Sequence, residues 1–112
     1  DVKNAYQPDA GYISKERHPQ LEGVAFPIAP DIAVEVISPS ESSKDVMKKV
    51  LRYIQGGSRL VWTMYADDET VYVWQLGDDG EMRWRVLSGD DVLDGSDVLP
   101  GFSVKVSEIF PK

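Results

Sequence analysis

The chain has no cysteine, which excludes disulfides, thiolate metal sites and cysteine nucleophiles and agrees with a cytoplasmic location. It has a single histidine, His18, beside Pro19 in a polar stretch. That residue is expected in a loop, because histidine-built metal centres and catalytic triads need further partners that the sequence does not supply. Long apolar runs are absent as well. None approaches the roughly 20 residues of a membrane-spanning helix, and no stretch resembles a signal peptide. Positive charge is in short supply: 12 Lys and Arg against 19 Asp and Glu leave a net charge of -7. No chain-wide attraction therefore draws the protein to nucleic acid or to an anionic membrane, and a nucleic-acid partner would need a local basic patch or a metal.

What is present fits one domain over residues 1–112 with a modest core, since 42% of the 112 residues are hydrophobic. The chain starts at Asp1 rather than methionine, as a fragment or a processed product would. "PDAGYIS" (Pro8 to Ser14) is a short strand candidate, followed by a polar, proline-containing loop. "DIAVEVIS", bounded by Pro30 and Pro39, is a second strand, and "SPSESSKD" marks its end and the start of a helix. Ser42 with Asp45 three residues on is a weaker relative of the capping box.

The helix is expected to run to about Gln55 and to stop at Gly56-Gly57. "RLVWTMY" follows as a strand, and strand, helix, strand predicts a right-handed crossover and a parallel pair. "TVYVWQL" and "EMRWRVL", joined by "GDDG", predict a β-hairpin. The tail reads as a turn-rich segment with a short strand and one helical turn.

Glu35 stands out in this layout. It interrupts a strand of Ile, Val and Ala, and strand alternation puts it on one face with Ala33 and Ile37. Either that face is solvated at a sheet edge, or the carboxylate is desolvated and must meet a cation, meet hydrogen-bond donors or take a proton. The helix offers a cation. At about 100° per residue, Val46, Met47, Val50, Leu51, Tyr53 and Ile54 form one apolar arc, and Lys49 lies at its edge beside Tyr53. Lys49 is the helix lysine placed to bend toward the end of the preceding strand; alternatively it forms a surface pair with Asp45, contributing about 0.3 to 0.5 kcal/mol.

Two acids are candidate partners of Glu35. Asp31 shares its strand face but lies about 13 Å away, too far for one Mg²⁺ to use both, and reads as a strand-entry residue. Asp9 belongs to another strand, and if the two strands are neighbours their spacing is about 4.8 Å and the carboxylates can converge. Two convergent carboxylates with a lysine are what metal-assisted phosphodiester hydrolysis needs. Arg83 and Arg85 share a hairpin face and either touch phosphate or are simply solvated.

Pro8-Asp9 followed by Glu35-Val36-Ile37 resembles PD-(D/E)XK, the signature of restriction-endonuclease-like nucleases, with Ile37 in place of the final lysine. "PDIAVEVISPS", "KVLRYIQGGSRLVW" and "LDGSDVLPGFSVKVSEIF" resemble, more specifically, the large bacterial "putative restriction endonuclease" family. In that family the lysine has moved from the strand to the helix, matching Lys49 followed by Tyr53. The resemblance implies an α/β fold with a mixed sheet, in which the Asp9 and Glu35 strands pair antiparallel, a helix crosses over to a parallel strand with Trp62, and a C-terminal hairpin extends the assembly. It also implies a Mg²⁺-dependent DNA endonuclease, with Mn²⁺ as a substitute metal. Asp9 and Glu35 would bind the metal, Lys49 would stabilise charge, and a homodimer would present two sites to two strands.

Two features depart from the family pattern. An N-terminal helix and strand with a further acidic residue normally precede the PD element, where this chain begins, and Tyr65-Ala66 stands where the family often has Asp-Pro. The rival expectation is a degenerate nuclease-like domain used for oligomerisation or protein binding, which the net charge of -7 favours. An RNA substrate is a third, since no base-reading motif is visible.

Overall fold

The computed structural model describes residues 6–14 and 28–111; His18 lies outside the described residues. The elements follow in the order β1 (Ala10–Tyr12), β2 (Ile32–Val36), α1 (Ser43–Gln55), β3 (Leu60–Tyr65), β4 (Thr70–Leu76), β5 (Met82–Ser88), β6 (Val92–Asp94) and β7 (Ser103–Lys105), with a closing 3₁₀ turn at Val106–Glu108. Strands β1 to β5 form one sheet in sequence order, and β6 and β7 form a separate two-stranded ribbon.

As expected, β1 pairs antiparallel with β2, and β2 runs parallel to β3 through the helical crossover. β3, β4 and β5 continue as an antiparallel meander. The turn between β4 and β5 is closed by the Gly80 N–H donating to Gly77 O at 2.9 Å. Gly80 sits at φ 84°, a left-handed conformation that glycine adopts without steric cost.

The helix begins where its chemistry says it should. Asp45 N–H donates to the Ser42 hydroxyl oxygen at 3.1 Å, and Ser42 N–H donates back to Asp45 Oδ2 at 3.4 Å, so two of the orphan donors of the first turn are satisfied. At the other end Gly56 N–H donates to Arg52 O, and Gly57 turns the chain at φ 110°.

The alternation of side chains along the strands splits the core in two. Ile32, Leu60, Trp62, Val71 and Leu87 face one side, where Leu93, Val98, Val106 and Phe110 of the tail cover them. Ala33, Ile37, Val61 and Trp74 face the other, against Val46, Val50, Tyr53 and Ile54 of the helix. The apolar arc read from the sequence is wider than the strip that meets the sheet: Met47 and Leu51 are 37% and 38% exposed. The tail also holds more order than expected, because β6 pairs with β7 and sinks Leu93 to 1% exposure.

Candidate active site

The antiparallel register of β1 on β2 sets Ala10 opposite Val34, so one further step along both strands brings Asp9 opposite Glu35. Their backbones and carboxylates interlock. Asp9 N–H donates to Glu35 Oε2 at 3.0 Å, and Val36 N–H donates to Asp9 Oδ2 at 2.7 Å. Each acid is thus held by the other's strand, a reciprocal brace that strand spacing alone did not reveal. Asp9 is exposed, whereas Glu35 is 7% exposed, so one carboxylate is open to solvent and the other is nearly covered.

Lys49 reaches the same place from the helix. Its Nζ lies 3.6 Å from Glu35 Oε1 and 2.8 Å from Glu41 Oε2. The surface pair with Asp45 is not formed; Asp45 is occupied in capping the helix. Glu41 was not singled out in the sequence. It lies outside the helix in the turn after β2, eight positions before Lys49, so no helical periodicity links the two. Its carboxylate is fixed by Ser38 N–H, which donates to Oε1 at 3.0 Å.

The electrostatics follow from this packing. Burial pushes the Glu35 carboxyl above its usual range, and the Asp9 charge adds to that, against the opposing pull of the Asp9 N–H and of Lys49. Glu41, paired with Lys49, is held below the usual range, and Lys49 in turn is raised, chiefly by Glu41. The ammonium is therefore charged at neutral pH. Tyr53, buried beside Glu35, is raised as well by desolvation.

A shallow cleft of about 280 Å³ opens over these groups, lined by Gln7, Glu35, Lys49, Arg52 and Tyr53. Arg52 stacks over the Tyr6 ring with its guanidinium carbon 4.3 Å from the centroid, which holds a second cation at the rim. Ile37, standing where the motif has lysine, is 7% exposed and packs in the helix-side core. An ammonium there would be buried among apolar side chains, so Lys49 on the helix is the workable source of positive charge.

The remaining sequence candidates lie elsewhere. Asp31 is 5% exposed just before β2 and accepts from Ser14 N–H at 2.8 Å, as befits a strand-entry residue. Arg83 pairs with Asp79 at 2.7 Å on the hairpin surface, and with Arg85 it lines a shallow surface depression on the hairpin.

The donor set suits a hard divalent cation: two carboxylates converge, one of them buried and raised by its own desolvation. Mg²⁺ is commonly held by one or two carboxylates and completed by water and phosphate oxygens. Among the described residues no group of three or more His, Cys, Asp or Glu side chains forms a fuller cage.

A mixed sheet with a helical crossover, carrying two carboxylates and a helix lysine at the mouth of its second strand, defines a restriction-endonuclease-like α/β fold. The chain belongs to the Uma2 family, described as "Putative restriction endonuclease", whose model matches residues 1–107. A solved structure described as a "putative nuclease belonging to DUF820", from Anabaena variabilis ATCC 29413, superposes with a TM-score of 0.74 at 25% identity. That similarity covers 92% of this chain but 58% of its neighbour, so this chain spans under two thirds of that protein. No curated protein is significantly similar to the chain. Among the described residues, no helix is long and apolar enough to cross a membrane.

Proposed function

We propose that the chain acts as a metal-dependent endonuclease on DNA, working in the cytoplasm as a homodimer whose two sites face the two strands. The observation that carries this reading is the interlock of Asp9 and Glu35 with Lys49 beside them. Family membership supports nuclease chemistry, and the cleft over Glu35 and Lys49 supports a site open to substrate.

In hydrolysis of a phosphodiester, a water oxygen forms a bond to phosphorus, the bond to the leaving oxygen breaks, and that oxygen takes up a proton. Asp9 and Glu35 would hold Mg²⁺, which when bound polarises the phosphate and acidifies the attacking water. The Asp9 and Val36 N–H groups hold each carboxylate against the other's backbone. Lys49 keeps its proton and faces the negative charge that builds on the phosphoryl oxygens. Its side chain is 42% exposed, so a phosphate can reach it. The single site lysine also answers the overall charge of -7, since the cation and Lys49 together supply the attraction that the surface lacks.

A calorimetric Mn²⁺ titration near neutral pH tests the site, Mn²⁺ sharing the oxygen-ligand preference of Mg²⁺. The parent is expected to bind about one metal and Glu35→Ala none, with plasmid nicking lost in the same variant. A parent that takes up no metal would sink the proposal.

A second reading is a non-catalytic interaction module. Trp84 favours it: the ring is 57% exposed and lies nearly parallel to Tyr72, at 12° and 5.8 Å, a large apolar surface of the kind found at contacts. Lys49→Met separates the two, because a nuclease loses turnover while a module keeps its partner.

A further inference from the structure

We infer that Glu41 is a positioning residue for the site proposed above: it holds the Lys49 ammonium away from Glu35, leaving the Glu35 carboxylate available to a divalent cation. The inference rests on that metal-site reading. Its basis is a difference of two distances, 2.8 Å from Nζ to Glu41 and 3.6 Å to Glu35. The lysine is within reach of both carboxylates and is seated on the one that does not face Asp9.

Glu41 is built for this task. Oε1 accepts Ser38 N–H at 3.0 Å, and Glu41 N–H donates to Ser38 O at 3.0 Å, so the side chain is fixed to its own turn at both ends. Oε2, closed off from solvent, points at the ammonium. The turn sits between the end of β2 and the cap of α1, so one short segment ties the strand bearing Glu35 to the helix bearing Lys49. Without Glu41, the nearest anion left to Lys49 is Glu35, and an ammonium closed onto that carboxylate competes directly with a cation for the same lone pairs. Groups that orient the residues around a metal commonly change affinity by about 10- to 100-fold when lost.

The test is a Mn²⁺ titration of four chains: parent, Glu41→Gln, Lys49→Met and the double variant. Glutamine keeps an oxygen for Ser38 N–H, so the turn is retained, and far-UV circular dichroism checks that it is. Glu41→Gln is expected to bind Mn²⁺ about tenfold more weakly than the parent. Adding Lys49→Met is expected to restore the affinity to the parent's or beyond, since the competing ammonium is then gone. A merely structural role for Glu41 would leave the double variant as weak as the single one, and that result overturns the inference. So does a Glu41→Gln chain that binds like the parent while Glu35→Ala does not bind, an outcome that leaves the metal site itself standing. A parent that binds no Mn²⁺ removes the metal site and this inference with it.

Discussion

On one face of the five-stranded sheet, Ile32, Leu60, Trp62 and Val71 meet the apolar side chains of the tail. The face under the helix holds a buried carboxylate at Glu35, a buried hydroxyl at Thr63 and a half-open row of rings at Tyr65, Tyr72 and Trp84. The same strands make both faces, because successive side chains point opposite ways. One face gains stability chiefly by excluding water, although the Trp62 indole N–H is buried there without a hydrogen-bond partner among the described residues, while the other carries a carboxylate and a hydroxyl that cost stability unless partnered. Thr63 shows how such a cost is offset: its oxygen accepts the Trp74 indole N–H at 2.9 Å. Glu35 is offset only in part, which is why its carboxyl remains raised.

Damage to the two faces should therefore look different. The largest stability effect is expected from Leu93→Ala on the tail side, where the leucine is 1% exposed. Large-to-small changes at such positions cost about 2–5 kcal/mol, so Tm should fall by about 10 °C or more in a domain of this size. Mn²⁺ affinity measured below the melting range should stay at the parent's value. Scanning calorimetry with a metal titration checks both, and a folded Leu93→Ala chain that lost the metal would show that the faces are coupled.

Ser42→Ala should have a smaller effect, and on the helix side. The hydroxyl that receives Asp45 N–H is lost, a cap worth about 1 kcal/mol, and Tm should drop by about 4–8 °C. Glycine at the same position, which leaves the backbone N–H groups accessible to water, should cost only a few tenths of a kcal/mol by comparison with the parent. An alanine variant as stable as the parent would mean that Asp45 caps the helix through its own charge alone.

Much of this arrangement was legible in the sequence, for identifiable reasons. The crossover followed from β-branched strands flanking a helix whose start and stop residues are explicit, whereas the angle beside Tyr53 left Lys49 open between the site and a surface pair with Asp45, and the family resemblance favoured the site. Asp9 could be named because strand pairing at a known spacing brings its carboxylate to Glu35. What escaped were contacts made by irregular backbone. Glu41 acts from a turn whose shape depends on Ser38 closing it, and no periodicity reports such a position. The exposure of Met47 and Leu51 was likewise hidden, since an apolar arc gives the direction of a buried face but not how wide a strip its partner covers.

The subtlest effect, and the one that tests the comparison most sharply, is expected from Glu35→Gln. A carboxyl whose folded value lies above its unfolded one binds more protons in the native state than in the unfolded state. Its contribution is therefore most favourable below the unfolded value and is lost as pH rises through the raised folded value. Glutamine has no such slope, and its oxygen can still accept the Asp9 N–H. In metal-free buffer the variant should melt higher than the parent near pH 7, and the difference should shrink toward pH 4. Added Mn²⁺ should reverse the order, because only the parent gains stability by binding, by about 2.7 kcal/mol at a free metal concentration 100 times Kd. Thermal melts at the two pH values, with and without Mn²⁺, give all four comparisons. A variant less stable than the parent in metal-free buffer at pH 7 would mean that Lys49 and the Asp9 N–H already compensate the buried charge, and that the helix-side face is as settled as the other.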